Sequence, residues 1–346
     1  MQIDKIVSDM ITKIKFENFT AFDELTMNFS QGINILLGEN GTGKTHVMKA
    51  LYAACSVIDN QASQTYDQKL RSVFLPNSIG RLVHRSQGRN SGSVKVYRND
   101  GDEPTDRSIG CHITTLNKAE VKMLRWNENR RNPATYIPVK DMLANAPRFR
   151  ALYSEKHIHF EEIYSDIIDK AMQPVPKGKP SKERTKLLEI LNKSISGRVI
   201  EKNETFYLRN RSGELEFTLL AEGFRKLGLL YMLIQNETLT KGSVLFWDEP
   251  ESNLNPVLSE IVVRILLELQ KMGVQIFVAT HDYVLLKEFE LAVKEDSEVL
   301  IHTLYRAEDG NILCSSTRDF DEVSPNAIDK AFQSLLDREI NKAFEK

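Results

Sequence analysis

Two stretches of this 346-residue chain carry residue types suited to phosphate chemistry. The first is Gly38-Glu39-Asn40-Gly41-Thr42-Gly43-Lys44-Thr45, with His46 next in line. Glycines at 38, 41 and 43 let backbone N–H groups turn inwards around phosphate oxygens, and a helix N-terminus behind them favours negative charge. Lys44 can reach the β- and γ-phosphates of a triphosphate, and the Thr45 hydroxyl can ligate Mg²⁺. A glycine-rich turn without a ligand is the bland alternative. The flanks argue against it: Ile33–Leu37 reads as a buried strand, and Val47, Leu51, Ala54 and Ile58 form a helical stripe.

The second stretch is Val244-Leu245-Phe246-Trp247 followed by Asp248 and Glu249. Two acids closing an apolar strand are costly to bury without a partner. Magnesium held by Asp248 and Thr45 would resolve that cost. Glu249, near the γ-phosphate, would then polarise the attacking water as general base. A solvent-exposed strand end would carry the same two acids for no reason of chemistry.

These residues need a scaffold that brings distant strand ends together. "ITKIKF", "LTMNF" and "INILL" read as short strands, as do "SVKVYRNDG", "CHITTL" and "ATYIPV". Residues 141–196 carry helical patterns broken by "QPVPKGKPSKER", an exposed loop with Pro174, Pro176 and Pro180. The segment 199–220 reads as a hairpin turning at Ser212-Gly213. A helix from Gly223, the acid-ended strand, a helix over 255–273 and the buried strand "VQIFVATH" follow. "VLIHTLYRAEDGNILCSST" reads as another hairpin. Ile328, Phe332, Leu335, Leu336 and Ile340 recur at helical spacing, which predicts a C-terminal helix docked on the body. The expected organisation is an α/β fold: an N-terminal half with the phosphate loop over 1–140, a compact helical lobe over 141–197, a second half over 198–324 and a docking helix over 325–346.

With "ESNLNP" after the acids and "FVATHD" at the next strand end, the sequence resembles the ABC-type ATPases of the SMC, RecF and OLD-like branch. That resemblance implies an ATPase head with a P-loop core sheet, an antiparallel β subdomain and a helical lobe. It implies ATP and Mg²⁺ as ligands and hydrolysis to ADP and phosphate. His281 matches the switch histidine that senses the γ-phosphate, and Ser252–Pro256, including Asn253, matches the D-loop. Leu220-Ala221-Glu222-Gly223-Phe224, then Arg225 and Lys226, resembles the signature loop. That loop contacts the γ-phosphate of a partner subunit in a head-to-tail dimer. Ala221 stands where the family usually has serine, so backbone N–H groups or Arg225 must supply the contact. No glutamine stands in 135–143, where the family's Q-loop falls, which leaves Lys140 or Asp141 for the metal-side role. "KLRSVFLPNSIGRLVHR", "YIPVKDML" and "LLAEGFRKL" resemble compact bacterial ATPases of the AAA-15/AAA-21 type. Many of those accompany a nuclease or toxin in antiphage defence, as in the PARIS and Septu systems. The implied partners are a second copy of the chain and such an effector.

Other features narrow the field. Net charge is −2, so nucleic acid could be held only by local patches. Between Lys118 and Arg150 eight basic residues, Arg130 and Arg131 among them, face three acids, and Lys177, Lys179, Lys182, Arg184 and Lys186 form a second cluster. Either could contact phosphates, as a RecF-type DNA clamp requires, or simply be solvated. A transporter nucleotide-binding subunit fits the motif spacing poorly. Asn117-Lys118-Ala119-Glu120 approximates a guanine-reading sequence but precedes the acid pair. His157 and His159, two apart, suit a metal poorly. Three scattered cysteines and no apolar segment of membrane-spanning length point to a cytoplasmic protein.

Overall fold

Ile33–Leu37, Ala134–Ile137, Val244–Asp248 and Gln275–Thr280 are buried at every position. Such strands belong inside a sheet covered on both faces, and parallel pairing with helical crossovers provides the cover. The computed structural model describes residues 10–59, 64–85, 88, 90–98, 107–126, 133–155, 158–295 and 297–344. In chain order its strands are β1 (Ile11–Phe19), β2 (Phe22–Asn28), β3 (Ile33–Leu37), β4 (Ser91–Arg98), β5 (Arg107–Thr114), β6 (Ala119–Leu124), β7 (Ala134–Ile137), β8 (Arg198–Lys202), β9 (Thr205–Asn210), β10 (Gly213–Glu216), β11 (Val244–Asp248), β12 (Gln275–Thr280), β13 (Val299–Arg306) and β14 (Ile312–Thr317). The helices are α1 (Lys44–Asp59), α2 (Tyr66–Phe74), α3 (Phe149–Ser154), α4 (Glu162–Ala171), α5 (Lys182–Ser194), α6 (Glu222–Gln235), α7 (Ser259–Lys271), α8 (Tyr283–Ala292) and α9 (Ala327–Phe344).

The core sheet runs β14-β13-β3-β12-β11-β7, parallel except for the β13–β14 hairpin. Alternate residues of each strand feed opposite layers. Ile33, Ile35, Leu245, Trp247, Ile276 and Val278 pack with α5, α6 and α7. Leu36, Val244, Phe246, Phe277 and Ala279 pack with α1 and the antiparallel sheet β2-β1-β4-β5-β6. The α/β class, the P-loop core sheet and the N-terminal antiparallel sheet expected from the sequence are therefore present. The helices of 141–197 lie against this body: α5 adjoins α6 and α7, and α4 lines β7.

Buried polar side chains lock the layers. The Gln275 amide donates to Ile11 O and Ser30 O and accepts from Ile11 N, tying β12 to β1. Asn34 donates to Ser30 O at 2.9 Å. The His302 ring contacts Ser316 Oγ at 2.8 Å and Asn34 Oδ1 at 3.4 Å.

Several elements differ from the expectation. The hairpin over 199–220 is a three-stranded sheet, β10-β9-β8. Its extra turn lies at Asn203-Glu204, where both residues have positive φ (52° and 63°). Two left-handed residues close a tight hairpin, but no glycine advertises it. Helix α2 is a further element that the sequence reading did not include; a capping box formed by Thr65 and Gln68 starts it. Contacts of α9 with the body lie at its start: Ile328 packs on the core and Phe332 stacks on Tyr283 at 4.1 Å. Leu335, Leu336, Ile340 and Phe344 are 44–86% exposed. Among the described residues no helix is long and apolar enough to cross a membrane.

Burial lowers the His302 pKa from 6.5 to about 4. Between those values the unfolded chain takes up a proton at His302 and the folded chain does not. Its contribution is complete above pH 6.5 and is lost as pH falls towards about 4, by at most about 1.4 kcal/mol per pH unit. The thermal midpoint should therefore drop between pH 6.5 and pH 4, and His302→Gln should drop less steeply in the same titration.

Candidate nucleotide site

Strand register decides which side chains meet. Leu37 of β3 pairs with Thr280 of β12 and with Thr303 of β13, and Asp248 of β11 pairs with Ala279. The phosphate loop, the acid pair and His281 therefore leave the sheet at one carboxyl edge, where open α/β sheets bind ligands.

The loop from Gly38 to Gly43 uses positive φ at Gly38, Gly41 and Gly43. At Gly43 a Cβ would sit 2.4 Å from the Phe22 ring, so both backbone and space require glycine. Thr42 Oγ1 donates to Glu39 O at 2.8 Å, and Glu39, Asn40 and Gly41 are exposed. Lys44 is buried and folds back, donating to Gly38 O at 2.5 Å and Glu39 O at 3.0 Å. Desolvation lowers its pKa; Glu249, Asp248, Glu251 and Glu39 oppose that shift. Its ammonium thus already sits among the loop carbonyls that a phosphate would adjoin. His46 turns its ring towards Phe74, at 5.6 Å. Burial and Lys49 bring its pKa down to about 4, so the ring is neutral.

Thr45 and Asp248, 203 residues apart in the chain, meet at 3.3 Å between Oγ1 and Oδ1. Asp248 is 4% exposed, and burial raises its pKa against the hydrogen bonds from Tyr136 and Thr45. A hydroxyl beside a buried carboxylate is a hard oxygen pair, which fits Mg²⁺. Glu249 adopts a left-handed backbone (φ 48°), a conformation a non-glycine residue holds only under constraint. The constraints are its N–H donating to Ala279 O at 2.9 Å and the Lys226 ammonium near its carbonyl at 3.4 Å. Glu249 Oε1 lies 3.2 Å from His281 Nδ1, and both side chains keep solvent access, 26% and 45%.

Three residues not singled out as site residues brace this edge. Lys226, fully buried on α6, also donates to Ser252 O, which ties the signature helix to the acid turn. Glu251 Oε1 accepts from Thr280 Oγ1 at 2.6 Å and His281 N at 3.3 Å, fixing the histidine turn. Tyr136 donates to Asp248 Oδ2 at 2.9 Å. "DEPE" and the lysine after Arg225 were visible signals, but neither pattern says which donors Glu251 or which carbonyls Lys226 reaches.

The turn at Gly223 lies beside the segment after the acid pair: a Cβ at Gly223 would be 3.2 Å from Leu254 Cδ1. Helix α6 begins after Ala221 with no side-chain cap; Ala221 is exposed and Glu222 half-buried. Arg225 pairs with buried Asp141 at 3.1 Å, so both are engaged within the chain. Asn253 is exposed with φ 57°. Asn117 accepts from Gly80 N at 3.1 Å. His159 is exposed; His157, Arg130 and Arg131 lie outside the described residues.

Residues 33–287 match the family AAA_21, described as "AAA domain, putative AbiEii toxin, Type IV TA system". The chain belongs to this family. The DNA replication and repair protein RecF of Bacillus cytotoxicus is 30% identical over 89 residues, 26% of this chain and 22% of that protein. RecF of Lysinibacillus sphaericus is 48% identical over 42 residues, 12% of this chain and 11% of that protein. The chain thus matches less than a quarter of these RecF proteins. Among solved structures, an SMC head bound to the C-winged helix domain of ScpA gives a TM-score of 0.56 at 15% identity, covering 89% of this chain and 97% of that one. The SMC head domain from Thermotoga maritima gives 0.51 at 14%, covering 89% and 99%. At such identities the likeness is one of fold. This AAA_21 protein shares the fold of the SMC head domains.

Lys226→Met keeps most of the buried volume but leaves the Glu249 and Ser252 carbonyls without their donor. Urea unfolding should show a loss of about 1–3 kcal/mol; an unchanged midpoint would mean that Lys226 does not hold the acid turn.

Proposed function

We propose that this AAA_21 protein binds Mg-ATP at the carboxyl edge of the core sheet, hydrolyses it to ADP and phosphate, and pairs head to tail with a second copy while ATP is bound. The observation that carries this reading is the convergence of Lys44, Thr45, Asp248, Glu249 and His281 at that edge. The loop N–H groups and Lys44 take the phosphates. Asp248 and Thr45 would hold Mg²⁺, which supplies charge neutralisation on the β- and γ-phosphates when bound. Glu249 removes the proton of the attacking water, and His281 orients the γ-phosphate end. Catalysis of this type is mainly positioning and charge stabilisation. The uncapped start of α6 supplies backbone N–H groups to the partner's γ-phosphate, which suits the absence of a hydroxyl at Ala221.

The output, on this reading, is control of a partner effector, a nuclease or toxin, in antiphage defence. The exposed apolar side chains of α9 support a protein partner. A RecF- or SMC-like role on DNA is the second reading. It is favoured by the RecF similarity and by exposed Lys177, Lys179 and Lys182. It is weakened by the neighbouring Arg184 and Lys186, which pair with Glu237 and Glu268. DNA affinity that falls steeply with salt would select the second reading; salt-insensitive co-purification of a nuclease or toxin would select the first.

Glu249→Gln should retain ATP and lose about 10²-fold or more of hydrolysis, the scale of a lost general base. Light scattering should then find it dimeric in ATP; full turnover in this variant refutes the base role. Lys44→Ala should abolish ATP binding in calorimetry, and retained affinity would remove the phosphate-loop assignment.

A further inference from the structure

Asp248 uses both carboxylate oxygens in this structure. Oδ1 faces Thr45 Oγ1 at 3.3 Å, and Oδ2 accepts the Tyr136 hydroxyl at 2.9 Å. Tyr136 is 1% exposed and lies on β7, hydrogen-bonded alongside β11, with its backbone in register with Phe246. Its ring is held edge-on by Tyr52 at 5.5 Å and stacked near Phe246 at 6.3 Å. The hydroxyl is therefore fixed by packing on both sides of the ring. The segment 135–143, where a glutamine was expected, contains none, and Tyr136 is a polar side chain of that segment that does reach the acid.

We propose that Tyr136 is a positioning residue for the metal-side carboxylate: by engaging Oδ2 it holds the Asp248 plane so that Oδ1 faces Thr45 and the phosphate loop. This rests on the reading of Asp248 and Thr45 as the Mg²⁺ pair. Hydrogen-bond partners of a metal-binding carboxylate fix its orientation, and losing one typically weakens metal binding by about 10–100-fold. The Oδ2 donor matters more here because Asp248 is almost fully withdrawn from water.

The test is calorimetric ATP binding to the full chain across a Mg²⁺ series and in EDTA, with wild type, Tyr136→Phe and Tyr52→Phe. Tyr136→Phe keeps the ring and removes only the hydroxyl. It should raise the half-saturating Mg²⁺ concentration about tenfold or more and leave ATP affinity in EDTA unchanged. Tyr52→Phe, which removes a neighbouring buried hydroxyl bonded to Asp166, should leave the Mg²⁺ series unshifted. An unshifted series in Tyr136→Phe overturns the inference. So does an equal loss with and without Mg²⁺, or an equal shift in Tyr52→Phe, since either signals general loosening. Wild-type ATP binding that ignores Mg²⁺ would overturn the nucleotide-site reading together with this inference; Mg²⁺-dependent wild type with an unshifted Tyr136→Phe overturns the inference alone.

Discussion

Parallel register at the carboxyl edge of the core sheet is the constraint on which the rest depends. Leu37 and Thr280 end level with one another, beside Thr303 within β13, and Asp248 ends level with Ala279. A slip of one residue would turn every side chain to the opposite layer. Both layers are apolar and filled, so such a slip would bury the wrong set of side chains. Core packing thereby fixes the approach of Thr45 to Asp248, although neither residue belongs to the apolar core.

Charge is buried around this edge with its partners supplied. Lys44 rests on carbonyls of its own loop, Lys226 on carbonyls of the acid turn, and Asp141 on Arg225. A second polar group clamps the far side of α1. Lys49 pairs with Glu161 at 2.5 Å, and Asp166 accepts from Tyr52 and, at 2.7 Å, from Lys69. Both acids belong to the region of α4, so the helical segment after residue 141 is joined to the helix that carries the phosphate loop. Pairs of this kind contribute little net stability beyond an apolar replacement, yet breaking one is costly. They make the relative placement of α1, α4 and α6 specific.

Much of the architecture was legible in the chain because its determinants are local. The largely apolar runs at 33–37, 244–247 and 275–280 read as central strands, and the glycines before Lys44 allowed one kind of turn. The hairpin at Asn203-Glu204 was not legible, because its two left-handed residues are neither glycine nor the usual asparagine–glycine pair. Helix α2 was hidden by its polarity; its capping box at Thr65 and Gln68 was the signal to find it. The apolar period of α9 was visible, but periodicity names a face and not what covers it; four of its large apolar side chains beyond Phe332 remain exposed.

The sequence by itself determined the chemistry on offer: a glycine-lined turn before Lys44 and Thr45, two acids after an apolar strand, and a histidine after another. Each is a short-range pattern whose meaning follows from φ freedom, side-chain type and burial. Only the tertiary structure decided that Tyr136 engages Asp248, that Arg225 is paired with Asp141, and that Lys226 and Glu251 brace the acid and histidine turns. Those contacts join strands and helices far apart in the chain. Their geometry comes from sheet register and packing, which no local spacing encodes.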